Sequence, residues 1–331
     1  MTEPVPDAPR PGSKWKLLLR VVVSAALLAL VISKASGVDD AIPDQHHGLT
    51  ISLLAITLLT AFVGVILSAW RWQRVLLLFD VKLPLRTLFS HYLVGLLVGN
   101  VLPSTIGGDV VRVARASNTV GSAEVAFGSV VLERLTGFVG LPLLVFAGFV
   151  IRPSLLDHSH AWFALFVAAA AVGMLTLILF LAGHPRVAGR YAEKASWSRF
   201  IGAVHLGVQR LRREPRHIGP ILFATVIFQS SQVVMFGLIF RALDLPVPLA
   251  AVLAFGPAVL MLQVLPISFS GLGVREGALV LFLHSFHVSN AQAGAAGLLW
   301  WGSMLVVSML GAPAFALGNR SHPATSAKET V

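Results

Sequence analysis

The chain has 331 residues, of which 56% are hydrophobic and only 12% charged, with a net charge of +10 and no cysteine. A soluble domain carries about twice that charged share, and the lack of thiols excludes disulfide frameworks, thiolate metal sites and cysteine nucleophiles. The basic excess sits between apolar runs, which is the positive-inside pattern of a membrane protein beside anionic lipid headgroups and argues against nucleic acid as a partner.

The first 16 residues are polar, and "LLLRVVVSAALLALVIS" follows. With no clear small-x-small cleavage site after it, this run predicts an uncleaved helix near 17–34. Further unbroken apolar runs predict helices near 50–70, 123–150, 161–182, 219–241 and 291–317. Two more stretches, 87–119 and 249–288, are apolar but interrupted by Pro and Gly. The expected fold is an all-α polytopic integral membrane protein, with about six to eight transmembrane helices and two Pro/Gly-broken hairpins. One transmembrane domain, 17–317, would lie between a cytoplasmic tail, 1–16, and a polar tail, 318–331.

Lysine and arginine set the orientation. Arg10, Lys14 and Lys16 precede the first helix, Asp39, Asp40 and Asp44 follow it, and Arg71, Arg74, Lys82 and Arg86 follow the second. The N-terminus and the 71–86 loop are therefore assigned to the cytoplasm. Loop 183–218 carries eight Lys/Arg and belongs there too. Two crossings, 123–150 and 161–182, connect those loops correctly only if 87–119 dips into the membrane and returns. Within about 185–216, Trp197, Phe200, Ile201, Val204, Val208 and Leu211 recur at helical spacing among arginines, which predicts an interfacial amphipathic helix.

The first break, "NVLPSTIGGDVVR" (100–112), has a counterpart in "QVLPISFSGLGVRE" (263–276). With Pro103 on Pro266, six of twelve positions are identical, including Gly108 with Gly271 and Arg112 with Arg275. An amide side chain, Asn100 or Gln263, stands three residues before each proline. Apolar composition alone does not supply matching Pro, Gly and Arg, so the two segments are read as an internal repeat. The topology makes it an inverted one, and paired broken segments of this kind point to a transporter's binding site.

Six charges cluster at these breaks: Asp109, Arg112, Glu133, Arg134, Arg275 and Glu276. A charge at the bilayer centre is costly, so two compatible readings arise. The six pair internally and hold the hairpins, or Arg112, Arg134 and Arg275 receive a phosphate while Asp109, Glu133 and Glu276 orient them or carry protons. The planar guanidinium fork suits phosphate oxygens, and Gly107, Gly108, Gly271 and Gly273 permit close backbone approach. Asp157–His160, "DHSH", has ligand-like spacing but lies in a short loop, and His284 and His287 read as packing or interfacial residues. No metal, cofactor or catalytic residue is assigned, since no Walker A, G-x-S-x-G or H-E-x-x-H pattern occurs.

Together "NVLPSTIGGDVVR", "GSVVLERLTG" (128–137) and "LPISFSGLGVRE" resemble the lysylphosphatidylglycerol synthase transmembrane-region family of flippase-like membrane proteins. The resemblance covers about 15–315. The family's first motif often has Gly-Glu where this chain has Gly108-Asp109, which keeps the carboxylate. In the family the domain stands alone or is fused to an aminoacyl-transfer or glycosyltransferase domain. With no aminoacyltransferase segment here, the resemblance implies a lipid flippase or transporter in a bacterial inner membrane. Its substrate would be an anionic phospholipid or a polyprenyl-phosphate-linked lipid. The alternatives are an integral-membrane lipid-modifying enzyme, or an accessory scaffold for a separately encoded transferase.

Overall fold

The computed structural model describes residues 47–101, 107–183, 197–264, 271 and 273–316. The helix expected at 17–34, both tails, residues 184–196, Pro103 and Pro266 lie outside the described residues. Among the described residues the structure is helical and contains no strand. In chain order the helices are α1 (His47–Leu77), α2 (Leu85–Val101), α3 (Gly107–Val120), α4 (Ala123–Ile151), α5 (Ala161–Gly183) and α6 (Trp197–Arg213). They continue with α7 (Ile218–Ala242), α8 (Leu249–Leu262), α9 (Val274–Leu283), α10 (Asn290–Met309) and α11 (Ala312–Ala316). Four segments are long and apolar enough to cross a membrane: Gly48–Leu77, Ala123–Ile151, Ala161–Leu181 and Pro215–Ala242. They coincide with four of the runs expected from sequence.

Two boundaries differ from expectation. The run 291–317 is divided, because α10 ends at Met309 and the chain turns at Leu310–Gly311 before α11. A side chain at Gly311 would meet the Leu93 backbone at 2.7 Å, so the turn is pressed against α2. More consequentially, α1 runs past residue 70 to Leu77, since Ala69, Trp72 and Leu76 continue one buried stripe. Arg71 and Arg74 are therefore helix residues, and the assignment of Arg71 to a cytoplasmic loop is corrected: it is buried in the bundle.

Small residues bring the long helices together, as expected where lipid supplies no hydrophobic drive between helices. On α5, Ala161, Ala164, Ala168 and Ala171 form a buried seam, while Trp162, Phe166 and Phe180 point outward. On α4, Gly140 faces Thr225 and Gln229 of α7, and Gly148 faces the backbone of Ala254 on α8. The helix α1 lies along α7. The pairs Thr50–Ala242, Gly64–Ser231 and Trp70–Phe223 run in opposite order along the two chains, so α1 and α7 are antiparallel.

The same test orients the helices that flank each break. Thr119 meets His91, Arg112 meets Tyr92 and Gly95, and Gly108 meets Gly95 and Gly99, so α2 and α3 are antiparallel. Gly271 lies on Gln263, and Phe282 and Phe286 lie on Phe255, so α8 and α9 are antiparallel too. Gly121, with φ +77°, ends α3 by donating its N–H to Ser117 O at 2.9 Å, and the Ser122 hydroxyl then accepts from Val125 N–H to start α4. Leu206 and Leu211 of α6 pack against Val75, Phe79, Leu132 and Ile221, so protein covers that part of its apolar face.

Candidate functional site

Both broken segments reach one cavity of about 320 Å³. Asn100, Gly108, Asp109 and Arg112 line it from the first, and Gln263 and Val264 from the second. Arg71, Glu133 and Arg134 complete its charged wall, and Trp300 and Trp301 form part of its apolar wall.

Its most buried feature is an Arg71–Glu133–Arg112 array drawn from α1, α4 and α3. Glu133 is 1% exposed. It accepts from Arg71 Nη2 on one oxygen and from Arg112 Nη1, at 3.1 Å, on the other. The Arg112 guanidinium also stands 4.4 Å from the Trp72 ring centre and 4.3 Å from that of Tyr92. Arg71 lies 4.7 Å from the Phe228 ring. These rings desolvate the cations while attracting them. Tyr92 is fixed by Ser68, which donates to its hydroxyl oxygen at 2.7 Å, and Trp72 donates Nε1–H to Ser129 Oγ at 3.0 Å.

Adjacent residues on α4 point about 100° apart, so Arg134 leaves the array that Glu133 anchors. It pairs with Asp109, which also accepts from Arg112 at 3.3 Å. Asp109 stands in the first turn of α3, where a carboxylate complements the helix dipole. Gly107 opens α3, and Gly108 packs directly on the Gly95 carbonyl of α2.

The second break is built differently. Arg275 is completely buried and donates Nε–H and Nη2–H to one oxygen of its neighbour Glu276, at 3.1 and 2.7 Å. The other Glu276 oxygen accepts from the N–H of Gly273, which takes φ +83° at the start of α9. Gly271, at φ +78°, packs on Gln263. Arg275 does not line the cavity; its guanidinium lies 5.1 Å from the ring of Trp300, which does.

Of the six charges expected from sequence, the structure gathers Asp109, Arg112, Glu133 and Arg134 at one wall and sets Arg275 and Glu276 as a pair behind Trp300. Sequence reasoning missed Arg71. The available signal was the buried stripe of Ala69, Trp72 and Leu76 continuing through the charge.

Several polar atoms at this wall are buried with no hydrogen-bond partner among the described residues: Arg71 Nε and Nη1, Arg112 Nε and Nη2, and Gln263 Oε1. Among the described lining residues three cations face two carboxylates. Such a wall has the charge and the free donors that an oxyanion would need. The described residues hold no cluster of three or more metal-ligating side chains, and His158 of "DHSH" stacks on Phe286 at 4.5 Å.

No curated protein matches the chain. The family model of the lysylphosphatidylglycerol synthase TM region matches residues 17–311. The chain belongs to this family and is a membrane protein of lipid metabolism or transport.

Proposed function

We propose that the protein is a lipid flippase or transporter that moves an anionic phospholipid, or a polyprenyl-phosphate-linked lipid, between membrane leaflets. The observation that carries this reading is the Arg71–Glu133–Arg112 array. Two buried guanidiniums share one carboxylate at a cavity wall and keep unpartnered donors. Unpaired buried donors cost free energy, and a phosphate satisfies them with charge-assisted bonds. In this reading Arg112 and Arg71 take the phosphate, and Arg134 offers a third contact. Asp109 and Glu133 hold the cations in place or carry protons. Arg275 and Glu276 position the second break and Trp300 beside the headgroup.

The repeat supports an inverted, two-hairpin transporter architecture. The 163-residue offset from Pro103 to Pro266 carries α1–α4 approximately onto α7–α10. The packing follows it: α4 lies on α8 and α10 on α2, while α3 lies on α4 and α9 on α10. The counterparts α1 and α7 run antiparallel, as halves of opposite topology require. Helices α2, α3, α8 and α9 have 17, 14, 14 and 10 residues. At 1.5 Å per residue each is shorter than a hydrocarbon core of about 30 Å. Re-entrant hairpins entering from opposite faces of the bacterial inner membrane, with a cytoplasmic N-terminus, fit these lengths and the distribution of lysine and arginine.

The test is leaflet exchange in liposomes of defined composition. Fluorescent phosphatidylglycerol, phosphatidylserine and a polyprenyl phosphate are each quenched from outside, with and without the folded protein. Faster exchange of at least one anionic lipid, lost in Arg112→Gln, is the expected result. No acceleration for any of them, with folding verified, overturns the reading.

A further inference from the structure

A second cavity, of about 500 Å³, opens between α3, α4 and α5. Its walls are apolar, with Val110, Val113, Phe127, Val131, Met174 and Ile178 among them. It shares three residues with the first cavity: Asp109, Arg134 and Phe138. The two cavities thus meet at an ion pair. The buried Arg71–Glu133–Arg112 array lies on one side of it, and an almost wholly apolar wall on the other.

We propose that the apolar cavity holds one acyl chain of the same anionic phospholipid whose phosphate sits at Arg112, and that the lipid passes between the cavities at the Asp109–Arg134 pair. This rests on the transport reading above. A detached acyl chain from bulk lipid would fit the groove alone, but it would give no reason for a charged pair at the inner end. A phospholipid changes from polar to apolar at its glycerol phosphate, and the protein changes in the same way at these two residues. Charge complementarity points in the same direction. Arg134 is 41% exposed in its side chain and Asp109 only 15%, so a phosphate oxygen can approach Arg134 and take the place of the Asp109 carboxylate. A pair whose cation is 41% exposed is easier to open than the Glu133 array, where both partners are buried. The lipid therefore displaces the outer pair and leaves the inner array intact. Met174 is half exposed at the outer side of the groove, which gives the chain a path from the bilayer.

The experiment uses the full-length protein in phosphatidylcholine nanodiscs containing trace phosphatidylglycerol with a diazirine in its acyl chain. Adducts are mapped by mass spectrometry. The expected result is labelling of the α5 segment around Met174 that falls at least fivefold in Arg112→Gln, while labelling around Trp162, on the outward face of α5, stays constant. Arg112→Lys, which keeps the cation, is expected to retain most of the labelling, and the thermal unfolding midpoint of Arg112→Gln in detergent separates loss of the headgroup contact from misfolding. A second arm fills the groove with Met174→Trp, a replacement at an exposed position, and measures leaflet exchange; a several-fold loss is expected. Labelling around Met174 that is independent of Arg112, or exchange unaffected by Met174→Trp, overturns the groove assignment and leaves the transport reading standing. Absence of exchange in the unaltered protein overturns the transport reading itself.

Discussion

The two breaks share a sequence pattern but hold their arginines in different ways. At the first, Arg112 is held by Glu133 on α4, which binds Arg71 of α1 as well, and more loosely by Asp109 of its own helix. At the second, the carboxylate comes from Glu276, next to Arg275, and it also caps its own helix. Ala296 occupies the position 163 residues after Glu133, and the Glu276 carboxylate lies against Gly297 beside it. A carboxylate thus reaches the α3–α4 interface at the first break and the α9–α10 interface at the second, from different helices. The first break ties three helices together at the cavity, and the second secures a single helix end.

Glu133→Gln is expected to have the largest effect. It leaves two buried cations without their partner, and breaking a buried pair costs about 3–5 kcal/mol. Glu276→Gln neutralises a local pair while its amide oxygen can still cap α9, at roughly 1.5–3 kcal/mol. Thermal unfolding in detergent compares the two, and equal losses would remove the distinction between the halves. Next come the arginines, read per folded molecule. Arg71→Gln and Arg112→Gln each reduce leaflet exchange by at least about tenfold, a loss of roughly 1.4 kcal/mol, while Arg275→Gln lowers folded yield and keeps the rate within about twofold. An exchange defect in Arg275→Gln as deep as that in Arg112→Gln would place the second arginine at the substrate after all.

The glycines sharpen the comparison further. Gly108→Ala forces a methyl into the Gly95 carbonyl, where backbone must move, and overpacking of this kind costs about 1–3 kcal/mol. Gly271→Ala meets the Gln263 side chain and a left-handed φ, at a cost of roughly 1–2 kcal/mol. Gly277→Ala, in mid-α9 with nothing within 4 Å, is the small effect: neutral, or stabilising by about 0.5–1 kcal/mol. Midpoints of thermal unfolding rank the three.

Membrane class, four long helices and both breaks were legible in the sequence because bilayer thickness and backbone satisfaction leave few alternatives. The division of labour among the charges was not. Glu133 and Arg134 are neighbours in sequence, and only the rotation along α4 decides that one turns to Arg71 and the other to Asp109. Arg71 itself was hidden by a general rule: an arginine where an apolar run ends reads as an interfacial anchor. Its partner lies 62 residues away, and a single sequence carries no record of that contact. The arginines of the repeat were recognisable as equivalents, but their unequal access to the cavity depends on Trp300, which packs from α10.

Gly95 and Gly108 meet backbone to backbone, with the Arg112 side chain packed against Gly95 beside them. Side chains slide and change rotamer, whereas two main chains in direct contact have no such slack. The first pair of broken helices therefore behaves mechanically as one strut. A transporter built on this contact would carry α2 and α3 together rather than part them.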